Sequence, residues 1–267
     1  MQYQVVGRWD QMPTVKLVWS LTLGRASLAG SARHHKPARS GSGKAGRFIH
    51  HVLWEHHAIW EQLSAGGNVL MPLGAYPFSE RYGWVADRYG LSWQVMYAGN
   101  TDIQQTIMPA LMFVGNVCGK TEEAINFYIS VFSNSNISFL QRYGQGQEPD
   151  KAGTIQYAAF TLDGMEFGAM DSAHDHHFTF NEAISLLVPC QRQAEIDYYW
   201  EKLSADPQAE QCGWLKDQFG LSWQVWPTVI GEMMQHGTRE QVDRLTQAFL
   251  PMKKFDLATL QRAYEGI

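Results

Sequence analysis

Several features that would identify the class of protein directly are scarce or missing in the sequence. The 267 residues include three cysteines, which form no C-x-x-C pair and whose odd number excludes a closed set of disulfides. No apolar run approaches the roughly 20 residues that a membrane-spanning helix needs. The net charge is −5, and the body of the chain carries no basic stripe of the kind that binds nucleic acid. We therefore expect a protein of the reducing cytoplasm that binds neither nucleic acid nor a membrane.

The composition indicates a folded chain whose first 47 residues, here called the head, are unusually basic. Hydrophobic residues make up 45% of the sequence and aromatic residues 13%, including ten tryptophans, which excludes disorder throughout. The length suffices for one large domain or two of ordinary size. Residues 1–47 hold eight Lys or Arg side chains and one Asp, so this head carries +7 and the rest of the chain −12.

An internal repeat is the strongest pattern in the sequence. Gly83–Tyr97 reads GWVADRYGLSWQVMY, and Gly213–Pro227 reads GWLKDQFGLSWQVWP. Upstream, WEQLSA at Trp60–Ala65 recurs as WEKLSA at Trp200–Ala205. The chain is therefore a tandem duplication.

The first copy is incomplete. Its similarity to the second copy starts near residue 58, and residues 1–50 share no pattern with their counterparts at 141–190. The favoured interpretation is a truncated or out-of-frame first copy, and the alternative is a targeting segment, since the head is rich in Arg and Ser and poor in acids. A signal peptide built on Leu17–Leu23 fits less well, because Lys16 and Arg25 break its pattern. Residues 30–46 are expected to be loop or disorder in either case.

The complete copy has the periodicity of two β-α-β-β-β modules. In the first module, strands are predicted at 108–115, 136–143, 154–162 and 165–170, with a helix starting at Thr121 and an Asp163-Gly164 hairpin. The second module repeats the order, with strands at 182–188, near 207–211, at 212–216 and at 221–226, and a helix at 193–204. Helices at 229–235, 239–249 and 256–264 then form an arm, which packs either on its own sheet or on a second chain. The expected organisation is a basic head (1–47), a partial first copy (48–100), a complete domain (108–227) and the helical arm (228–267).

These modules resemble the vicinal-oxygen-chelate (glyoxalase/bleomycin-resistance) superfamily, in particular its PhnB-like branch. The motifs that carry the resemblance are EEAINFY (Glu122–Tyr128), FTFNEAISLLV (Phe178–Val188), YYWEKLSA (Tyr198–Ala205) and CGWLKDQFGLSWQV (Cys212–Val225). The resemblance implies an α+β fold in which paired βαβββ modules form a curved mixed sheet around a hollow, here with the incomplete copy upstream. This branch is also named after 3-demethylubiquinone-9 3-methyltransferase, but the sequence has no Gly-rich turn and acidic residue that S-adenosylmethionine would usually require.

The resemblance also implies where a divalent metal would sit. Relatives that perform chemistry hold the ion with up to four side chains on the first and last strands of each module. The corresponding positions here are Gln224 and Gly168, with the first-strand positions near Pro109 and Ala183. Glu166 and Glu182 lie nearby, but a one-residue shift at Glu182 would point its side chain away from the hollow. Gln224 alone could coordinate, and a neutral amide anchors a divalent ion poorly. We therefore expect no cofactor, with weak support for a metal at Gln224.

The hollow itself is the remaining candidate site. If Gln224 faces inward, strand alternation places Ser222 and Trp226 in the hollow as well. On the first strand, Leu111 and Phe113 should face the same hollow. The resemblance adds His176 to this candidate site, as the first residue of an H-x-F-x-F pattern that ends at Phe180. The predicted ligand-pocket residues are Leu111, Phe113, His176, Ser222, Gln224 and Trp226.

The predicted function is small-molecule binding with no or weak metal-dependent catalysis. The alternative is a metal-dependent lyase, isomerase or dioxygenase, and less favoured are a methyltransferase and a purely structural or interaction protein.

Other motifs do not indicate a catalytic or nucleotide site. GNVCGKT (Gly115–Thr121) is one residue too short for a phosphate loop, and Cys118 lacks an adjacent base. His174–His177 is interpreted as a solvated turn. We expect a homodimer, an unidentified ligand and no site from the partial first copy.

Overall fold

The computed structural model describes residues 18–23, 58–97, 105, 107–176 and 178–267. They fall into two compact units, an N-terminal unit up to residue 176 and a C-terminal unit from Phe178 to Ile267. None of the helices within these ranges has the length and apolar character to cross a membrane. The expected disorder of residues 30–46 lies outside the described residues and stays a prediction.

The N-terminal unit is built on one eight-stranded sheet. Its strand order is β2-β3-β4-β1-β5-β8-β7-β6. Its elements are β1 (Val18–Leu23), α1 (58–64), β2 (Asn68–Tyr76), β3 (Ser79–Ala86), β4 (Ser92–Tyr97), β5 (Ile107–Phe113), a 3₁₀ turn (Gly115–Val117), α2 (Thr121–Val131), β6 (Asn136–Arg142), β7 (Ile155–Leu162) and β8 (Met165–Asp171). The predicted strands and helix of the first module of the complete copy are thus confirmed within two residues.

Two modules of the same topology form this sheet. In each, the first strand runs parallel to the last, β1 beside β4 and β5 beside β8, and the middle strands pair antiparallel. Strands β1 and β5 then pair antiparallel, with Trp19 opposite Pro109, and join the modules. The expectation that the partial first copy has no partner module was wrong. Strand β1 also lies inside the head that the sequence left without structure.

The two helices lie on the same face of the sheet. Helix α1 packs through Trp60 onto Val85 and Val95, and a Cβ at Gly83 would lie 2.5 Å from the Trp60 ring. Helix α2 contacts β7 and β8 on the face that carries Leu111 and Phe113. The β1–β5 register places the strand residues that contact α1 and those that contact α2 on the same side of the sheet. The other side of the eight-stranded sheet is here called the helix-free face.

The carboxylate of Asp171, at the end of β8, fixes the start of α2. Its Oδ1 accepts hydrogen bonds from the Gly119 and Thr121 amides at 2.7 and 3.3 Å and from Thr121 Oγ1 at 2.7 Å. Its Oδ2 accepts one from the Ile155 amide at 2.9 Å. Asp171 is 1% exposed, so this one side chain satisfies helix-terminal donors that water cannot reach.

The C-terminal unit contains a third module and the helical arm. Its elements are β9 (Ser185–Cys190), α3 (Gln193–Leu203), β10 (Trp214–Lys216), β11 (Ser222–Pro227), α4 (Thr228–His236), α5 (Arg239–Phe249) and α6 (Leu257–Glu265). The three-stranded sheet has the order β10-β11-β9, with β9 parallel to β11. The strand predicted near 207–211 was wrong, since only Gln211 forms an isolated bridge there, with Trp214.

The arm packs on its own unit. The amide of Cys212 donates to the Met252 carbonyl at 2.6 Å, and the ring of Phe255 is fully buried, edge-on to Trp226 at 5.6 Å. The Gln193 side chain donates to the Phe255 carbonyl at 3.1 Å. Of the two interpretations that the sequence left open for the arm, packing on its own sheet is the observed one.

Replacing Asp171 should destabilise the N-terminal unit strongly. The Asp171→Ala variant leaves the buried Thr121 and Ile155 amides without acceptors and removes the bond to the exposed Gly119 amide, so we expect its free energy of unfolding to fall by about 2–5 kcal/mol. Asp243→Ala on exposed α5 is the control and should change stability by less than about 0.5 kcal/mol. Urea unfolding followed by circular dichroism measures both. Equal midpoints for the two variants would contradict the capping role.

Candidate functional site

The duplicated D-x-x-G-L-S-W-Q motif builds a loop rather than a reactive centre. Asp217 Oδ1 accepts from the Phe219 and Leu221 amides at 2.9 and 3.1 Å, and its Oδ2 accepts from Trp223 Nε1 at 2.8 Å. The first copy repeats this arrangement, with Asp87 bound to Trp93 Nε1 at 3.0 Å. The loop therefore holds the Trp of each last strand on the helix face, and the following Gln points to the other side of the sheet.

The helix-free face combines residues from both modules of the N-terminal unit. Strand pairing places Trp84 opposite Gln94 with both side chains on this face, and Ala110 opposite Gly168, which has no side chain. The methionines on the face, taken from the same registers, are Met71, Met96, Met108, Met112 and Met170. The surface is thus mainly apolar and flexible, with a few hydrogen-bonding groups.

The phenols of Tyr82 and Tyr157 approach one another on this face from different modules. Burial raises the pKa of Tyr82 well above its usual value, and the nearby Tyr76 and Tyr157 hydroxyls raise it further. Burial and then Glu166 raise the pKa of Tyr157 as well. Both phenols therefore stay neutral at physiological pH and offer hydroxyl groups rather than phenolates.

His176 approaches the same face from the connector that follows β8. Its Nε2 lies 2.7 Å from Ser172 Oγ, and its ring centroid lies 6.3 Å from that of Trp84. Trp84 Nε1 donates in turn to Ser92 Oγ at 2.6 Å. His174 is exposed, 3.5 Å from Asp150 Oδ2, as a solvated turn predicts. The predicted pocket residue His176 thus contacts a residue of the partial first copy, which we did not predict to contribute.

Leu111 and Phe113 lie on the helix face, not on the face we predicted for them. They pair with Ala169 and Asp171, the latter of which caps α2, and they are 1% and 0% exposed. Side chains alternate along a strand, so a register one residue off exchanges the two faces. Met112 and its neighbour Ala110 occupy the helix-free face instead.

Ser222, Gln224 and Trp226 lie together on one face of β11 in the C-terminal unit. Gln224 is 5% exposed, and its Nε2 donates to Ser185 Oγ at 2.7 Å. Trp223 and Val225 take the opposite face, as the alternation predicted. The six predicted pocket residues thus divide equally between the units. Their role as a pocket stays a prediction.

No thiol in the described residues is activated. Burial raises the pKa of Cys190 to about 12, and it also raises the pKa values of Cys118 and Cys212. All three are free cysteines. Since the thiolate is the nucleophilic form, these side chains are inert at neutral pH.

The sequence contained a signal for the residues that we missed. Gln94, Ser92 and Trp84 occupy the positions in the first copy that Gln224, Ser222 and Trp214 occupy in the second. Because we expected the first copy to lack a partner module, we predicted no site residues in it.

The chain is similar to one described family and to several solved structures. The family described as 3-demethylubiquinone-9 3-methyltransferase matches residues 51–96 and 105–226, more than half of the chain. No curated protein matches. A Bacillus cereus structure described as a putative 3-demethylubiquinone-9 3-methyltransferase, PhnB protein, is 41% identical (TM-score 0.40) over 46% of this chain and 100% of its own. A Staphylococcus aureus structure is 29% identical (TM-score 0.22), over 46% and 96%. A Listeria monocytogenes structure, the fosfomycin resistance protein FosX with Mn(II), is 12% identical (TM-score 0.18), over 47% and 86%.

The family model matches residues in both copies of the repeat. The chain therefore belongs to the family described as 3-demethylubiquinone-9 3-methyltransferase.

Proposed function

We propose that the chain binds a neutral, largely apolar small molecule on the helix-free face of the N-terminal unit. The observation that carries this proposal is the makeup of that face, where methionines surround a few neutral hydrogen-bonding groups. Ligand sites are typically apolar surfaces with a small number of polar groups that fix orientation. Methionine side chains adapt to ligands of different shape, which favours a binding role without one rigid substrate.

The charges around this face select against anionic ligands. In the described strands the face carries no Lys or Arg, because alternation places Arg81 on the face of Gly83 and Val85, and Arg142 pairs with Glu122 of α2 on that same side. Register places the carboxylate of Glu166 on the helix-free face. Burying an anion there without a cation would cost several kcal/mol, so a neutral ligand fits best.

Gly168 allows three side chains to pack closely in the middle of the face. A Cβ at this position would lie 3.3 Å from the Tyr157 hydroxyl, 3.4 Å from Ala110 Cβ and 3.4 Å from Met108 Cε. The glycine thus brings the ligand next to a phenol and a methionine, which can hold a hydroxyl-bearing aromatic ring.

The donor set does not fit a divalent metal. Of the four ligand positions that the resemblance implies, Gly168 has no side chain, and Pro109 and Ala183 have no donor atom. Gln224 uses its amide to donate to Ser185. Within the part of the chain that the structure describes, no group of three His, Cys, Asp or Glu side chains could hold an ion.

We also propose a cytoplasmic location. The three free cysteines support it, because unpaired thiols persist in a reducing compartment.

Neutral aromatic ligands should bind more tightly than their charged counterparts. We expect 2-naphthol to bind at least about tenfold more tightly than 2-naphthoate, measured by saturation-transfer NMR titration. Gly168→Leu should abolish binding, because its side chain would displace Tyr157, Ala110 and Met108, which lie within 3.4 Å of its Cβ position. Circular dichroism should show that this variant is still folded. Gly231→Leu on exposed α4 is the matched control and should bind as the wild type does, since nothing lies within 4 Å of its Cβ position. Tighter binding of the carboxylate, or equal binding by both variants, would overturn the proposal.

Gln224 should affect stability rather than metal content. Gln224→Ala removes the buried bond to Ser185 and should cost about 1–3 kcal/mol in urea unfolding. Elemental analysis of the purified chain should show well below one divalent ion per chain, unchanged in the variant. One ion per chain in the wild type, lost on Gln224→Ala, would favour the metal-dependent alternative.

A further inference from the structure

The same Ser-Trp-Gln triplet opens the last strand of each copy of the repeat. It occupies positions 92–94 at the start of β4 and positions 222–224 at the start of β11. In both strands the serine and the glutamine share one face, and the tryptophan between them takes the other. The chain therefore contains its own comparison of one polar pair in two settings.

In the C-terminal unit both members of the pair bond to their own chain. The Nε2 of Gln224 donates to Ser185 Oγ at 2.7 Å. The hydroxyl of Ser222 donates to the Asn181 carbonyl at 3.4 Å. This copy thus uses the pair to hold its own strand and the segment before β9 in place.

In the N-terminal unit the carboxamide of Gln94 has no such partner. Gln94 is 8% exposed, and none of the residues that the structure describes forms a hydrogen bond with its Oε1 or Nε2. The register explains the difference, because the residue that pairs with the triplet serine is Ser185 in β9 and Val18 in β1. Valine offers no hydroxyl. Buried side-chain amides are nearly always paired, so an unpaired one needs a reason.

This carboxamide remains open to the helix-free face. Across the described ranges, Arg81 Nε is the one side-chain nitrogen or oxygen that is fully buried and lacks a hydrogen bond. The Gln94 carboxamide also lacks one, and it therefore keeps access from the open side of the sheet. A polar group of this kind, set among apolar side chains, is what fixes the orientation of a bound ligand.

Trp84 provides a flat surface beside this carboxamide. It lies directly opposite Gln94 on β3, and cross-strand neighbours have Cβ atoms about 5 Å apart. The indole is held in orientation, since its Nε1 donates to Ser92 Oγ at 2.6 Å. The His176 ring lies 6.3 Å from the indole between centroids and is tilted 45° to it. A planar ligand can therefore pack on Trp84 while its edge meets Gln94.

We propose that Gln94 recognises a planar lactam through two hydrogen bonds, with Trp84 packing against the ligand ring. Its Nε2 donates to the lactam carbonyl oxygen, and its Oε1 accepts from the adjacent lactam N–H. A carboxamide carries one donor group and one acceptor side by side, which is the complement of a lactam edge. The inference rests on the proposed function and names the chemical class of its ligand. A lactam ring is neutral, as the absence of Lys and Arg from the described strands of this face requires.

Two ligands that differ in one atom test this recognition. 2-Quinolone has a lactam N–H where coumarin has a ring oxygen, and the two are otherwise alike in shape. We expect the wild-type chain to bind 2-quinolone at least about tenfold more tightly in saturation-transfer NMR titration, because coumarin faces Oε1 with a second acceptor. Gln94→Met should bring the ratio of the two affinities close to one, since methionine has a similar length and neither bonding group. Gln261→Met on exposed α6 is the matched control and should keep the preference.

Stability separates recognition from a structural role. Gln94→Met removes no bond within the chain, so its midpoint in urea should equal or exceed that of the wild type. Gln224→Met removes the bond to Ser185, and its midpoint should fall. Equal losses in the two variants would show that Gln94 is bonded within its own chain and would overturn the proposal.

The comparison of ligands needs only the wild type, so it decides even where a variant does not fold. Equal affinities for 2-quinolone and coumarin, with 2-naphthol still bound, would overturn the lactam inference and leave the proposed function standing. Binding of none of the three would overturn both. A preference for 2-quinolone that persists in Gln94→Met would assign the recognition to another residue and would also contradict the proposal.

Discussion

The backbone ladder between β1 and β5 is the interaction on which the N-terminal unit depends. It turns two four-stranded modules into one eight-stranded sheet, and it places both helices on one face. The opposite face then becomes a single surface to which both copies contribute. Without this ladder, Trp84 and Gln94 would belong to an isolated half-module, and His176 would have no partner from the first copy.

Much of the fold could be predicted from the sequence, because side-chain patterns specify it. The repeat located the modules, the Asp163-Gly164 turn located a hairpin, and the apolar stripes located α2, α3 and the three helices of the arm. The capping of α2 could not be predicted, since its acceptor, Asp171, lies about fifty residues further along the chain. Local patterns carry no information about such distant partners.

Strand β1 shows a second limit of sequence reasoning. Its residues, VWSLTL, resemble neither β9 nor β5, yet they take the place of a first strand. A ladder is made by backbone groups, so any extended, β-prone segment can supply it. For this reason the repeat ended near residue 58 in sequence while the module continued in structure. For the same reason the sequence predicted no site residues in the first copy. The placement of Leu111 and Phe113 was wrong for a different reason, a one-residue error in register.

The family name and the site point to different chemistry. The family is described as a methyltransferase, whereas the helix-free face carries amide and hydroxyl groups, methionines and the carboxylate of Glu166. The duplicated Asp and Trp, the most strongly repeated polar pair, are used to shape a loop. A fold can thus keep its framework while its ligand groups change. A binding role for neutral molecules is the function that we propose for these residues.

Hydrogen exchange at β5 tests the central claim most directly. Ile107, Met108 and Ala110 lie in the part of β5 that pairs with β1, and only Ala110 also pairs with β8. In the intact chain, amides of this segment should be protected, and Leu21→Pro should remove that protection while Leu111 and Phe113 stay protected. Rapid exchange of 107–110 in the wild type, or protection unchanged by Leu21→Pro, would contradict a sheet shared by the two copies.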